Sequence, residues 1–175
     1  VQNIKITINT DIKINNSSIV TIVGDVYGFI DIGSNCVVNF VNSSLDIDRI
    51  KIKKSDNANN VTTINFSGNT DIRIKQKLEI DEFCIFNPDN YKVVCYIGDG
   101  VTFDGHFQMN AKGNTFNGCV YVPFGQILVH KSAHYSNPGL LTGFFIANTV
   151  HANGKYVYWN WRNCGPANNS SIAES

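Results

Sequence analysis

Charge is what this chain has least of. Only 16% of its 175 residues are Asp, Glu, Lys or Arg, against about a quarter in an average soluble domain. Lys plus Arg and Asp plus Glu balance at 14 each. That balance lacks the basic footprint of a nucleic-acid binder and the cationic excess that holds a protein against anionic lipid. No apolar run nears the ~20 residues of a membrane-spanning helix, so neither nucleic acid nor direct membrane insertion is expected. Catalytic signatures are missing as well. There is no Gly-x-Ser-x-Gly, no phosphate-cradling glycine loop and no Cys-x-x-Cys pair of the zinc-ribbon kind, so the motifs imply no nucleophile, no cofactor and no metal. Methionine is confined to Met109, and no convincing amphipathic helix of about ten residues occurs anywhere. The start at Val1, without Met or a charged-then-apolar leader, reads as a mature or excised fragment of an exported protein.

What the chain has in quantity is period-two alternation of β-branched residues between Asn, Asp and Gly turns. Ile12 and Ile14, Ile19 to Val23, Phe29 to Ile32, Cys36 to Val41 and Val61 to Phe66 read as short strands. So do Phe83 to Phe86, Tyr91 to Ile97, Val101 to Phe103, Phe107 to Met109 and Lys155 to Trp159. Between them, Asp46 to Lys53 alternates with a slip near Arg49, the signature of a bulge or bend. Residues 1–166 form one domain on this reading, and 167–175 a linker or frayed tail.

The organising stretch runs from Gly118 to Val150. Gly118 aligns with Gly143, Val120 with Phe145, Tyr121 with Ile146, Val122 with Ala147 and Pro123 with Asn148, a repeat of 25 residues. A unit of that size cannot bury its apolar face alone and needs a neighbour stacked on it. Short strands with Asn and Gly at the corners therefore predict a right-handed parallel β-helix, a short β-solenoid. A β-sandwich is the alternative, because turn signals every 8–12 residues suit either architecture.

The same stretch resembles the choice-of-anchor A domains of bacterial surface proteins and related β-helical domains of pilus-associated proteins. The resemblance rests on Gly118, Val120, Tyr121, Pro123, Gly143, Ile146 and Ala147. Val122 stands where that pattern has alanine before the proline, and Leu128 to Thr142 is a longer excursion than its members carry. The resemblance implies an extracellular, cell-surface β-helical module, anchored through a region outside this chain. It carries over no catalytic residue.

Candidate binding residues follow from chemistry. Tyr156, Tyr158, Trp159 and Trp161 are the densest aromatic cluster; on a strand Tyr156 and Tyr158 share one face, Trp159 and Trp161 the other. Exposed planar rings on a rigid scaffold suit stacking on sugars; buried rings would instead finish a core. His130, His134 and Tyr135 sit in the excursion. His-x-x-x-His binds one ion on a helix, which this region is not, so these read as surface contacts. Carboxylates recur as Asp46 with Asp48, Glu79 with Asp81 and Asp99 with Asp104. A polysaccharide-degrading β-helix needs two such groups converging in a groove; otherwise they are solvated faces and turn residues. The expected activity is adhesion, by contact with a glycan or protein of a host or cell surface. A purely structural stalk and a polysaccharide-degrading enzyme are the alternatives. Of the five cysteines, Cys84 with Cys95 and Cys119 with Cys164 are candidate disulfides in an exported protein. Against that stands a role for Cys36, Cys95 and Cys119 as small core residues.

Overall fold

The computed structural model describes residues 2–4, 10–130 and 133–164. Of the expected tail, 167–175 lies outside the described residues. Every described element is a strand, and the strands form two eight-stranded sheets. The first contains β1 (Gln2–Ile4), β3 (Ile19–Ile22), β5 (Val37–Phe40), β7 (Thr62–Phe66), β9 (Cys84–Phe86), β12 (Thr115–Asn117), β14 (Gly139–Gly143) and β16 (Val157–Trp161). The second contains β2 (Ile12–Ile14), β4 (Val26–Ile32), β6 (Ser44–Ile52), β8 (Thr70–Ile80), β10 (Val93–Ile97), β11 (His106–Asn110), β13 (Cys119–His130) and β15 (Phe145–Ala152). The chain crosses from sheet to sheet almost strand by strand. The exception is the pair β10 and β11, which both lie between β8 and β13 and so share one level of the stack. All pairings between strands are parallel.

Alternation sets which residues face in. One inward row of the first sheet runs Val20, Val38, Ile64, Phe86, Phe116, Leu141 and Trp159. Facing it, Ile30, Ile50, Leu78, Phe107 and Ile127 make a row of the second sheet, and the rows join in one core. Each fully buried Ile, Leu or Phe contributes about 1.5–3 kcal/mol by leaving water. The core turns from aliphatic to aromatic along the stack: Phe66 meets Phe86 at 5.2 Å, Phe86 meets Phe116 at 4.7 Å, and Phe116 meets Phe107 at 5.1 Å.

Corners between strands bury backbone groups that no ladder satisfies, and buried side chains take over. Asn114, 1% exposed, accepts the Cys84 N–H and donates to the Asp81 carbonyl at 2.8 Å and to the Asn110 carbonyl. Asn87 donates to the carbonyls of Tyr91 and Asn117, and Asn117 donates back to the Asn87 carbonyl.

The 25-residue alignment is a physical register: Val120 lies beside Phe145, Tyr121 beside Ile146 and Val122 beside Ala147. The two glycines that open the repeats touch, since a Cβ on Gly143 would fall 1.8 Å from the Gly118 carbonyl oxygen. Pro123 and Asn148 do not continue the register, because the pairing slips between Val122 and Gln126. A similar slip between Ile47 and Arg49 of β6 matches the bend expected near Arg49.

Two expectations are corrected. Val101 to Phe103 is not a strand: the Asp99 carboxylate gathers the N–H groups of Val101, Thr102 and Phe103 at 2.7–2.9 Å and holds them in a turn. Cys84 and Cys95 are not bonded to each other. The chain changes sheets between them, and both are free thiols in the core, Cys84 on β9 and Cys95 on β10. Burial pushes both thiols up, Cys95 to about 12. Cys119 and Cys164 are joined in a disulfide, with Cα atoms 6.0 Å apart.

Candidate functional sites on the flank and at the C-terminal end

Where the inward rows of the second sheet are apolar, the row between them faces out. It runs Val26, Asp46, Arg73, Tyr96, Tyr121 and Ile146, one residue per level. At about 4.8 Å per level the row is roughly 24 Å long. Tyr96 and Tyr121 are 41% and 38% exposed, with ring centroids 6.2 Å apart, edge to face. Beside them, where the strands bend, lies a groove of about 360 Å³ lined by Asp46, Asp48, Arg73, Lys75, Tyr96 and Asp99. Asp46 and Arg73 pair at 3.6 Å, and both side chains remain at least half exposed. Such a pair is worth little in water and leaves donors and acceptors for a ligand.

Asp99 anchors the loop that closes this groove. Its carboxyl is held below the usual aspartate range, chiefly by the backbone N–H groups of Phe103 and Val101 and also by that of Thr102. Lys75 reaches over the Phe103 ring at 5.6 Å. On the same loop, Gly100 has φ +70, and a Cβ there would fall 2.6 Å from the Phe124 ring, so glycine lets that half-exposed ring lie against the backbone.

The second site is the last level of the stack. Trp159 extends the Leu141 row and meets Phe145 edge-on at 4.9 Å, so it is in part the last rung of the core. Trp161 shares its face but lies beside Gly143, which offers no side chain, and it is 79% exposed. Tyr158 points outward beside Leu140, and Tyr156 sits before β16 in a turn, with φ +56. Phe145, Val150, Trp159 and Trp161 line an open concavity of about 570 Å³.

Beyond Trp161 the chain leaves this end face. The Arg162 N–H bonds the Gly143 carbonyl, and its guanidinium reaches back to the side-chain oxygen and carbonyl of Asn90. Cys164 is tied to Cys119, forming a small apolar cluster with Val94, against which Phe144 packs. The described chain therefore runs down the flank rather than across the top.

The excursion lies at the other corner. His130 ends β13, half-buried; His134 Nδ1 bonds Ser136 Oγ at 2.7 Å, its ring lies 4.1 Å from Tyr135, and Tyr135 is exposed. Hydrogen bonds from Ala133 N–H to the Lys155 carbonyl and from Gly139 N–H to the Tyr156 carbonyl join this excursion to the Tyr156 turn. The length of β16, about 13 Å, separates that corner from Trp161. The seven candidate residues are thus divided between two corners. Among the described residues, no three His, Cys, Asp or Glu side chains gather as a metal-binding group.

The carboxylate pairs are mostly committed elsewhere. Burial pushes the Glu79 carboxyl up, but hydrogen bonds and charge from Arg49, at 2.6 Å, and Lys77 outweigh it and hold it below the usual range. Asp81 accepts from Asn110 and from the Glu82 N–H.

The residues that sequence reasoning overlooked are Tyr96, Tyr121 and Phe124 as surface groups. A signal for the first two was present: Val94-Cys95-Tyr96-Ile97 stands one 25-residue step before Cys119-Val120-Tyr121-Val122. No protein-family model, no curated protein and no solved structure matches the chain.

Proposed function

We propose that the chain is a right-handed parallel β-helix, displayed outside a bacterial cell, that acts in adhesion by binding carbohydrate along its flank. The uniformly parallel pairing and the crossing between sheets support the helix, since a sandwich of hairpins pairs its strands antiparallel. Right-handedness follows from the strong preference of parallel crossover connections for that hand. Surface display rests on the resemblance of Gly118 to Val150 to choice-of-anchor A domains.

The observation that carries the carbohydrate reading is the sequence of side chains up one outward row. Tyr96 and Tyr121 present neighbouring half-exposed rings, and Asp46 and Arg73 stand on the next two levels. A sugar offers an apolar ring face to an aromatic platform and hydroxyl groups to a carboxylate and a guanidinium. The groove grips rather than cleaves in this reading, because of its three carboxylates Asp46 pairs with Arg73 and Asp99 is engaged by loop amides, which leaves Asp48 no second uncommitted carboxylate to converge with.

A glycan array probed with the purified chain tests it, run beside a Tyr96→Ala, Tyr121→Ala double variant and Trp161→Ala. Binding that is lost in the double variant and kept in Trp161→Ala is the expected result. A wild type that binds no glycan, or one whose binding survives the double variant, refutes it.

A further inference from the structure

The strands that end the stack are unguarded among the described residues. Among the described residues, β15 pairs only with β13 and β16 only with β14, so each presents a free backbone edge. Exposed edges are ordinarily blunted with Lys, other charges or Pro. Phe145-Ile-Ala-Asn-Thr-Val-His-Ala152 and Val157-Tyr-Trp-Asn-Trp161 contain no Lys, Arg, Asp, Glu or Pro. Val150 and Trp159 stay 50% and 39% exposed at this end, although the matching positions one level down, Ile127 and Leu141, are wholly buried. The described exit does not cover the face, because Arg162 and the Cys119–Cys164 bond draw it down the flank.

We infer that this end is a self-association surface, and that its occupant is the same end of a second copy of the chain. Two facing sheets that both stop at one level can be doubled by a two-fold axis normal to them. That axis lays β15 antiparallel on its own counterpart and β16 on its own. Every edge then meets an identical one, which is the isologous arrangement that closes at two. An edge without Lys, Arg, Asp or Glu meets its own copy without like-charge repulsion from those residues. Trp159, the middle residue of β16, falls at the centre of the paired strands. The parallel sheets of each copy continue through the junction as antiparallel pairs, and the open concavity closes against its equivalent.

Sedimentation equilibrium of the full chain tests this, beside Asn160→Lys and Thr149→Lys. Both positions are exposed and face outward on the end strands, beside Thr142 and Gln126, so a lysine there leaves the core intact. Wild type should be a dimer, and each variant should weaken dimerisation at least tenfold with an unchanged circular dichroism spectrum; either variant serves if the other does not fold. A nitroxide on Asn160→Cys should show a short spin–spin distance across the dimer, whereas Cys36, Cys84 and Cys95 are buried and stay unlabelled. A monomeric wild type, a dimer indifferent to both lysines or lacking the short distance, or an open-ended polymer would each overturn the inference.

Discussion

Asn114 is the side chain whose removal tests most sharply how the corners are held. It is buried where the chain turns into β12, and it serves three backbone groups: the Cys84 N–H and the carbonyls of Asp81 and Asn110. Asn114→Ala leaves the Cys84 N–H buried without a partner, at about 1–3 kcal/mol. The two carbonyls tolerate loss better, since under-satisfied acceptors are commoner than orphaned donors. A total of about 2–4 kcal/mol follows, which in a chain of this size lowers the melting temperature by roughly 5–15 °C. Asn114→Asp keeps the shape and the acceptor but turns a carboxylate oxygen toward two carbonyls. Its folded-state pKa is therefore raised, so its stability should be poorest at neutral pH and recover as pH falls and the carboxyl protonates. The control is Asn39→Ala: Asn39 lies on an outward face, half-buried, bonded to Asn65 at 2.8 Å, where water can replace it at a cost within about 0.5 kcal/mol. Thermal and urea unfolding followed by circular dichroism measure all three. If Asn114→Ala costs no more than Asn39→Ala, water enters the corner and the satisfaction argument fails.

Gly143→Ala should destabilise by at least the 1–3 kcal/mol or so typical of overpacking, because the obstructing atom is the Gly118 carbonyl oxygen, which belongs to backbone. Gly68→Ala, with no atom within 4 Å of the added carbon, should melt within a degree or two of wild type; equal losses at the two positions would contradict the close-stacking account. Asp99 supplies a pH dependence. Its carboxyl lies below its unfolded value of about 3.9, held there by the amides of Phe103 and Val101, so the loop's support is complete above that value and is lost as pH falls through the lower folded one. Protection factors of the Val101, Thr102 and Phe103 amides, referenced to intrinsic exchange at each pH, should fall on acidification in the wild type and stay level in Asp99→Asn; wild-type protection that is flat with pH would refute the anchoring role.

Much of the fold was legible because its cause is local. Period-two alternation gave the strands, and the 25-residue step survived because the bare backbone contact between Gly118 and Gly143 and the apolar pairs after it set β13 and β15 in register on adjacent levels. The step fails at Pro123 because β13 spends two more residues than β15 on the same bend, which is a tertiary fact. Cys84 and Cys95 lie close in sequence, but the Asn87 to Asn90 turn between them carries the chain from one sheet to the other, which separates them. Trp159 and Trp161 show the limit of alternation: it places both on one face, but only the neighbours, Leu141 for one and Gly143 for the other, decide which ring reaches solvent. Tyr96 and Tyr121 could have been found by carrying the repeat one step toward the N-terminus.

The Cys119–Cys164 bond has a mechanical consequence. Tension applied to the chain beyond Cys164 passes through the disulfide to Cys119 and on into the levels before β13. The 45-residue segment that the bond spans, with β13, β14, β15 and β16 inside it, lies off the path of the force. Under such a load, the top of the stack is carried along unloaded while the oxidised bond lasts. Reduction puts those four strands in series with the rest, and the weakly covered last level is then the first to peel.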